Sequence, residues 1–354
     1  MRFRDIIGQE GVKKQLRLSV MEHRIAHAQL FTGPEGIGKL QLAVAYAQYI
    51  NCPHRTAEDS CGECPTCLQY QKLQHPDLHF AFPIVKTDAG DVCDAFIGPF
   101  REMLLNQPYF TLDDWYKTIG GENKQGMIYE KESSEIVRKL SLKSFGEGYK
   151  TMIIWQPDKM NIACANKLLK LLEEPPEKTL FLLVGEHPDL LLPTVLSRLQ
   201  QVRVPILTPD EQAQRPGTDN SEQNERFFNW FAELMRNAWK VGQKKDYGAL
   251  LELRKWSADI ADSKNGREQQ KAFLQYAQNQ IRENYIYNFQ QPKMNYQSEQ
   301  ESTFSKKFAP FIRAENVEKI MDELDRAEQQ IAQNGNAKII FFDLCLQMIV
   351  LIKK

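Results

Sequence analysis

The chain reads as an α/β domain on a mainly parallel sheet, followed by an all-helical half, and three observations predict this. Up to about residue 207, short apolar strand candidates alternate with helical segments. Thr208 to Gln223 (TPDEQAQRPGTDNSEQ) carries Pro, Gly, Asp and Asn and almost no apolar side chains, as linkers do. Beyond it, aromatic residues recur at helical spacing, with no convincing strand run before Ile339.

The expected strands are Gln29 to Thr32, Leu78 to Phe82, Met152 to Trp155, Leu180 to Val184 and Gln201 to Val204. Helices fit between them at Lys39 to Ile50, Ser134 to Leu142 and Ala163 to Glu174. In the last of these, Ala165, Leu168, Leu169 and Leu172 share one apolar face, and Pro175 and Pro176 stop the helix. In the second half Phe227, Phe228, Trp230, Phe231, Leu234, Met235 and Ala238 mark an amphipathic helix. Gln290 to Lys307 is polar, contains Pro292 and reads as a loop. The resulting division is 1–207, a linker at 208–226 and a helical domain at 227–354.

At 354 residues the chain can bury more than one core. Its 45 Lys and Arg nearly cancel 46 Asp and Glu, so no global positive field holds a polyanion in the way of a dedicated DNA-binding domain. Arg2, Arg4 and Asp5 open the chain without a signal-peptide core behind them. The longest apolar stretch, Ile339 to Ile352, is broken by Asp343, Cys345 and Gln347 and falls short of the roughly 20 residues that span a bilayer. A cytoplasmic protein is expected.

Gly33 to Lys39 (GPEGIGK) matches G-x-x-x-x-G-K directly after a strand candidate and before a helix. Gly33, Gly36 and Gly38 would let backbone N–H groups curl round phosphate oxygens, with Lys39 reaching the terminal phosphates. The plain alternative is a glycine-rich turn. The next position calls for a Ser or Thr hydroxyl on magnesium, and Leu40 stands there. Hydrolysis also needs acidic residues after a second apolar strand, where Trp155 and Gln156 stand; Asp158 is two residues further on, in a different register. ATP or ADP bound without turnover is the remaining expectation.

Four of the seven cysteines, Cys52, Cys61, Cys64 and Cys67, form C-x8-C-x2-C-x2-C in a Pro-, Gly- and Asp-rich segment. Four thiolates with close pairs suit one tetrahedral zinc ion, and a fully protein-filled shell makes it structural. The alternative is a group of free cysteines.

These residues resemble one family, the AAA+ clamp-loader subunits of bacterial DNA polymerase III, gamma/tau and delta-prime. The resemblance runs through Phe3 to Gln9 (FRDIIGQ), His27 to Phe31 (HAQLF), the glycine loop, the cysteine module, Ala165 to Pro176 (ANKLLKLLEEPP) and Pro193 to Leu199 (PTVLSRL). It implies an AAA+ P-loop NTPase-like domain with a zinc module at 52–67, then a helical collar that assembles a ring of subunits. In the family's S-R-C motif the arginine enters a neighbour's ATP site, so Ser197 and Arg198 would form that pair and Arg198 an arginine finger supplied in trans. The alternative is an ordinary surface arginine. Leu199 replaces the family's cysteine.

By the same resemblance, the defective magnesium site points to the delta-prime type, a subunit without turnover that helps load the sliding clamp on primed DNA alongside gamma/tau and delta. Any nucleotidyltransferase activity would belong to the DNA-directed DNA polymerase holoenzyme, as the chain shows no polymerase carboxylate constellation of its own. The rivals are an active gamma/tau-like ATPase and a zinc-stabilised DNA-binding module. Two departures accompany the resemblance: between Leu199 and the aromatic helix at Phe227 there are too few residues for the three-helix lid usual in AAA+ proteins, so that the lid is missing or shortened at 208–226, and Val85 to Met127 reads as an insertion without an assigned role.

Overall fold

The computed structural model describes residues 1–86, 90–121, 124, 126–208, 211, 214, 221–262, 266–290, 295 and 297–352. The chain divides into two compact units, Met1–Gly217 and Thr218–Lys354. Most of the expected linker lies outside the described residues.

The first unit is built on five parallel strands, β1 (Ala28–Thr32), β2 (Leu78–Ala81), β3 (Lys150–Trp155), β4 (Thr179–Gly185) and β5 (Gln200–Arg203), in the order β2-β3-β4-β1-β5. All five expected strands form, with boundaries shifted by one or two residues. Every residue of β1, β3 and β4 is buried, which is why these strands read as continuous apolar runs rather than alternating ones. On the edge strand β5 only Val202 is buried.

Helices α1 (Glu10–Met21), α2 (Lys39–Asn51), α3 (Pro65–Gln71), α6 (Glu130–Ser141), α7 (Ile162–Glu173) and α8 (Pro193–Leu196) cover the sheet. Helix α2 is buried from Lys39 to Ile50, an enclosed helix that carries Lys39, Gln41 and Gln48 into the interior. Asn161 caps α7 by accepting the Cys164 N–H at 3.0 Å, and the helix ends before Pro175.

The described residues of the 85–127 stretch fold onto the sheet. Its helices α4 (Ile97–Asn106) and α5 (Leu112–Thr118) bring Phe100, Phe110 and Trp115 into the first core. Phe100 stacks on Phe82 at 4.0 Å between ring centroids, Trp115 meets both rings edge-on, and the Trp115 indole N–H donates to the Pro83 carbonyl at 2.7 Å. Thr111 and Asp114 close a capping box that starts α5.

In the second unit the described residues form six helices: α9 (Ser221–Lys244), α10 (Gly248–Ile260), α11 (Arg267–Tyr287), α12 (Glu299–Phe308), α13 (Ala314–Ala332) and α14 (Ala337–Leu351). Phe231, Leu234, Leu253, Phe273, Ile281 and Phe341 are among the residues of its core. The helix read from Phe227 begins six residues earlier, at Ser221. The loop expected over Gln290 to Lys307 is corrected: its second half is α12, started by a capping box between Ser298 and Glu301. Phe304 and Phe308, four residues apart, face Phe231 and overcome the polar composition of the segment. Ile339 to Ile352 lies almost wholly in α14, whose inner face buries Ile340, Phe341, Leu344, Cys345 and Met348.

Candidate functional site

Strand order reverses around β1, and the crevice at the C-terminal ends of β1, β3 and β4 is where an open parallel sheet ordinarily receives a ligand. The glycine loop lies there, between β1 and α2. Gly38 has φ +87°, a left-handed conformation that side chains disfavour, and a Cβ on Gly33 would stand 2.3 Å from the Val204 carbonyl oxygen. Both positions therefore require glycine.

Lys39 opens α2 and is only 6% exposed. Its Nζ donates to the Gly33 carbonyl at 2.7 Å and to the Pro34 carbonyl, and stands 3.8 Å from Glu186 Oε1. Gln156 Nε2 donates to the same Glu186 oxygen at 3.1 Å. Burial holds the Lys39 ammonium below the usual lysine range, partly offset by the Glu186 and Glu35 carboxylates. Leu40 is buried and supplies no oxygen. Trp155 and Gln156 line the cleft, whereas Asp158 does not; Asp158 is buried in an ion pair with Lys159 at 2.9 Å. Tyr109 and Phe110, from the 85–127 stretch, complete the lining.

At a second centre in the same unit, the sulfurs of Cys52, Cys61, Cys64 and Cys67 lie within 4.8 Å of one another. Cys52 to Cys61 is 3.6 Å and Cys61 to Cys67 is 3.8 Å. Tetrahedral Zn–S bonds of about 2.3 Å put sulfurs about 3.8 Å apart, so the observed spacing fits such an ion. The N–H groups of Cys61, Cys64 and Cys67 donate to the sulfurs of Cys52, Cys61 and Cys64, each at 3.4 Å. Such donors favour thiolates, and backbone N–H groups bring Cys61 down to about 6, whereas burial pushes Cys52 and Cys67 up. All four cysteines are free, and among the described residues they form the one His, Cys, Asp or Glu group that could hold a metal. Cys64 also caps α3, so the module ties that helix to the end of α2.

Arg198 follows α8 and does not line its own chain's cleft. Its Nη1 donates to the Thr194 carbonyl at 2.5 Å, and its Nη2 donates to the Glu173 carboxylate at the end of α7. Ser197 Oγ donates to the Thr194 carbonyl at 3.2 Å. The two motifs that contain these residues thus meet in space. Others are tied in too: His27 Nε2 lies 2.9 Å from the Leu172 carbonyl oxygen, and Gln9 Nε2 donates to the Pro205 carbonyl at 2.7 Å.

With this geometry in place, the family model described as DNA polymerase III, delta subunit, matches residues 8–208. The chain belongs to this family of DNA polymerase III clamp-loader subunits. Curated relatives include the DNA polymerase III subunit delta' of Bacillus subtilis, 31% identical over 57% of this chain and 49% of the relative. The delta' subunit of Pseudomonas aeruginosa is 30% identical over 51% of this chain and 44% of its own length. Subunit tau of Bacillus subtilis is 28% identical over 56% of this chain and 28% of tau. Each match thus spans less than half of the relative.

Among the cleft residues that sequence reasoning missed are Glu186, Glu35 and Tyr109. Glu186 directly follows β4, and its acidic side chain at a strand end was the available signal. Glu35 lies inside the glycine motif at a position the motif leaves free. Nothing in the sequence pointed to Tyr109.

Proposed function

We propose that this chain is a delta-prime-type clamp-loader subunit that does not hydrolyse ATP, supplies Arg198 in trans to a neighbouring subunit's ATP, and helps place the sliding clamp on primed DNA. One observation carries the reading: the cleft around Lys39 is lined by Leu40, Trp155 and Gln156 where magnesium and water need oxygen ligands, while Arg198 stands outside that cleft. A guanidinium so placed acts on another chain's phosphates or on none.

The partners on this reading are gamma/tau, delta, the clamp and primed DNA, and the polymerase reaction belongs to the holoenzyme. Cys52, Cys61, Cys64 and Cys67 would hold a structural zinc that cross-links the α2–α3 connection. The helical unit would serve as the collar, in keeping with α14, whose outer residues Ile339 and Val350 are 68% and 56% exposed. Among the described residues no helix is long and apolar enough to cross a membrane.

The test is the ATPase of a complex reconstituted with gamma/tau and delta, with and without this chain and with Arg198→Ala. Turnover at the site facing Arg198 should fall by about 10³-fold or more while assembly persists. Unchanged turnover, or magnesium-dependent hydrolysis by the purified chain alone, would refute the reading.

A further inference from the structure

We infer that the cleft above the glycine loop takes the chain's own segment 108–112 as its occupant, with Tyr109 seated on the loop in place of a nucleotide. This segment is held on three sides. Tyr109 Oη accepts the Ile7 N–H at 3.3 Å, and Glu35 of the glycine loop accepts the Leu112 N–H at 3.0 Å. Phe110 packs on Trp155 at 4.9 Å between ring centroids and on Phe100 at 5.9 Å, joining the aromatic cluster that begins at Phe82. Over the loop itself, Tyr109 Cε1 lies 3.3 Å from the point a Cβ on Gly38 would occupy. Glycine at that position thus lets an aromatic ring approach the backbone closely.

The space left is small and electrostatically unsuited to phosphate. The remaining cavity is about 30 Å³, against about 300–1,000 Å³ for sites that hold a small organic ligand. Lys39, the group that would draw phosphate in, already donates to two backbone carbonyls and faces Glu186. Glu35 and Glu186 both line the cavity, so a polyphosphate would bring its charge against two carboxylates. Trp155 stands where hydrolysis calls for an acid and is also the ring on which Phe110 docks. One residue thereby removes the chemistry and provides the seat for the segment.

This goes beyond the proposed function, which requires only that magnesium ligands be missing. A chain that bound ADP without turnover would leave that function intact and end this inference.

The experiment is a titration of the full-length chain with a fluorescent ADP analogue and magnesium, using wild type, Tyr109→Phe, Tyr109→Ala and Glu35→Ala. Wild type and Tyr109→Phe, which keeps the ring, should give no saturable signal up to about 1 mM. Tyr109→Ala should gain at least about tenfold in affinity, with a smaller gain for Glu35→Ala. Should Tyr109→Ala not fold, Glu35→Ala at its exposed position decides the matter, read by nucleotide binding together with faster amide exchange over 108–112. Saturation of the wild type in the micromolar range, or exclusion of the probe by every folded variant, overturns the inference.

Discussion

The guanidinium of Arg198 donates to the carboxylate of Glu173, joining the turn after α8 to the last residue of α7. Both side chains are solvent-accessible, at 33% and 46%, so the pair holds the arginine in a defined place at little energetic cost to release.

Glu173→Gln should therefore change stability by no more than about 1 kcal/mol. Chemical denaturation of the full chain checks this. A larger loss would mean that the pair is a structural tie rather than a tether that a partner can displace.

Lys39 is tested by removing its charge. Lys39→Met leaves the Glu186 carboxylate and two loop carbonyls without the ammonium and should cost about 1–3 kcal/mol. The ATPase of the reconstituted complex should be unaffected. Urea midpoints and turnover measured on the same preparation would reveal the reverse pattern if Lys39 served a bound nucleotide.

Trp115→Phe keeps an aromatic ring on α5 but leaves the Pro83 carbonyl unpaired. The expected loss is about 1–3 kcal/mol. Faster amide exchange through α4 and α5 should accompany it, and a neutral outcome would show that these helices are not fastened by this bond.

Metal content tests the cysteine cluster. Atomic emission should find close to one zinc per chain, and Cys67→Ser should lower both that content and the melting temperature. Full retention of folding after removal by a strong chelator would rule out a structural ion.

His79, half-buried on β2, provides a pH test. Burial first, and then the Lys139 charge, lowers it to about 4 from 6.5. Between those values the unfolded chain takes up a proton that the folded chain refuses, so stability falls as pH drops from about 6.5 to about 4. His79→Gln should flatten that part of the curve in urea titrations compared with wild type, and identical slopes would show that the residue titrates normally.

The strands and the motif-bearing helices were legible because a strand buried on both faces declares itself as an unbroken apolar run and a glycine loop sits at a defined junction. The cysteine module was legible for a similar reason, since its spacing lies within 16 residues of chain. The seating of α4 and α5 was not. Phe100, Phe110 and Trp115 follow no helical or strand period, and their partners are Phe82, which directly follows β2, and Trp155, at the end of β3. Helix α12 escaped notice because polar residues outnumber the two phenylalanines that dock it, although Ser298 and Glu301 carried the start signal.

From the sequence by itself came the inventory of chemical groups: four thiols close enough along the chain to share an ion, a lysine behind three glycines, and a leucine where an oxygen would be needed. Folding alone decided what each group faces, with Lys39 turned to Glu186, Tyr109 laid on the glycine loop and Arg198 directed to Glu173. Side-chain identity is covalent and local, whereas hydrogen bonds and ring contacts depend on distances that exist only once remote segments have packed together.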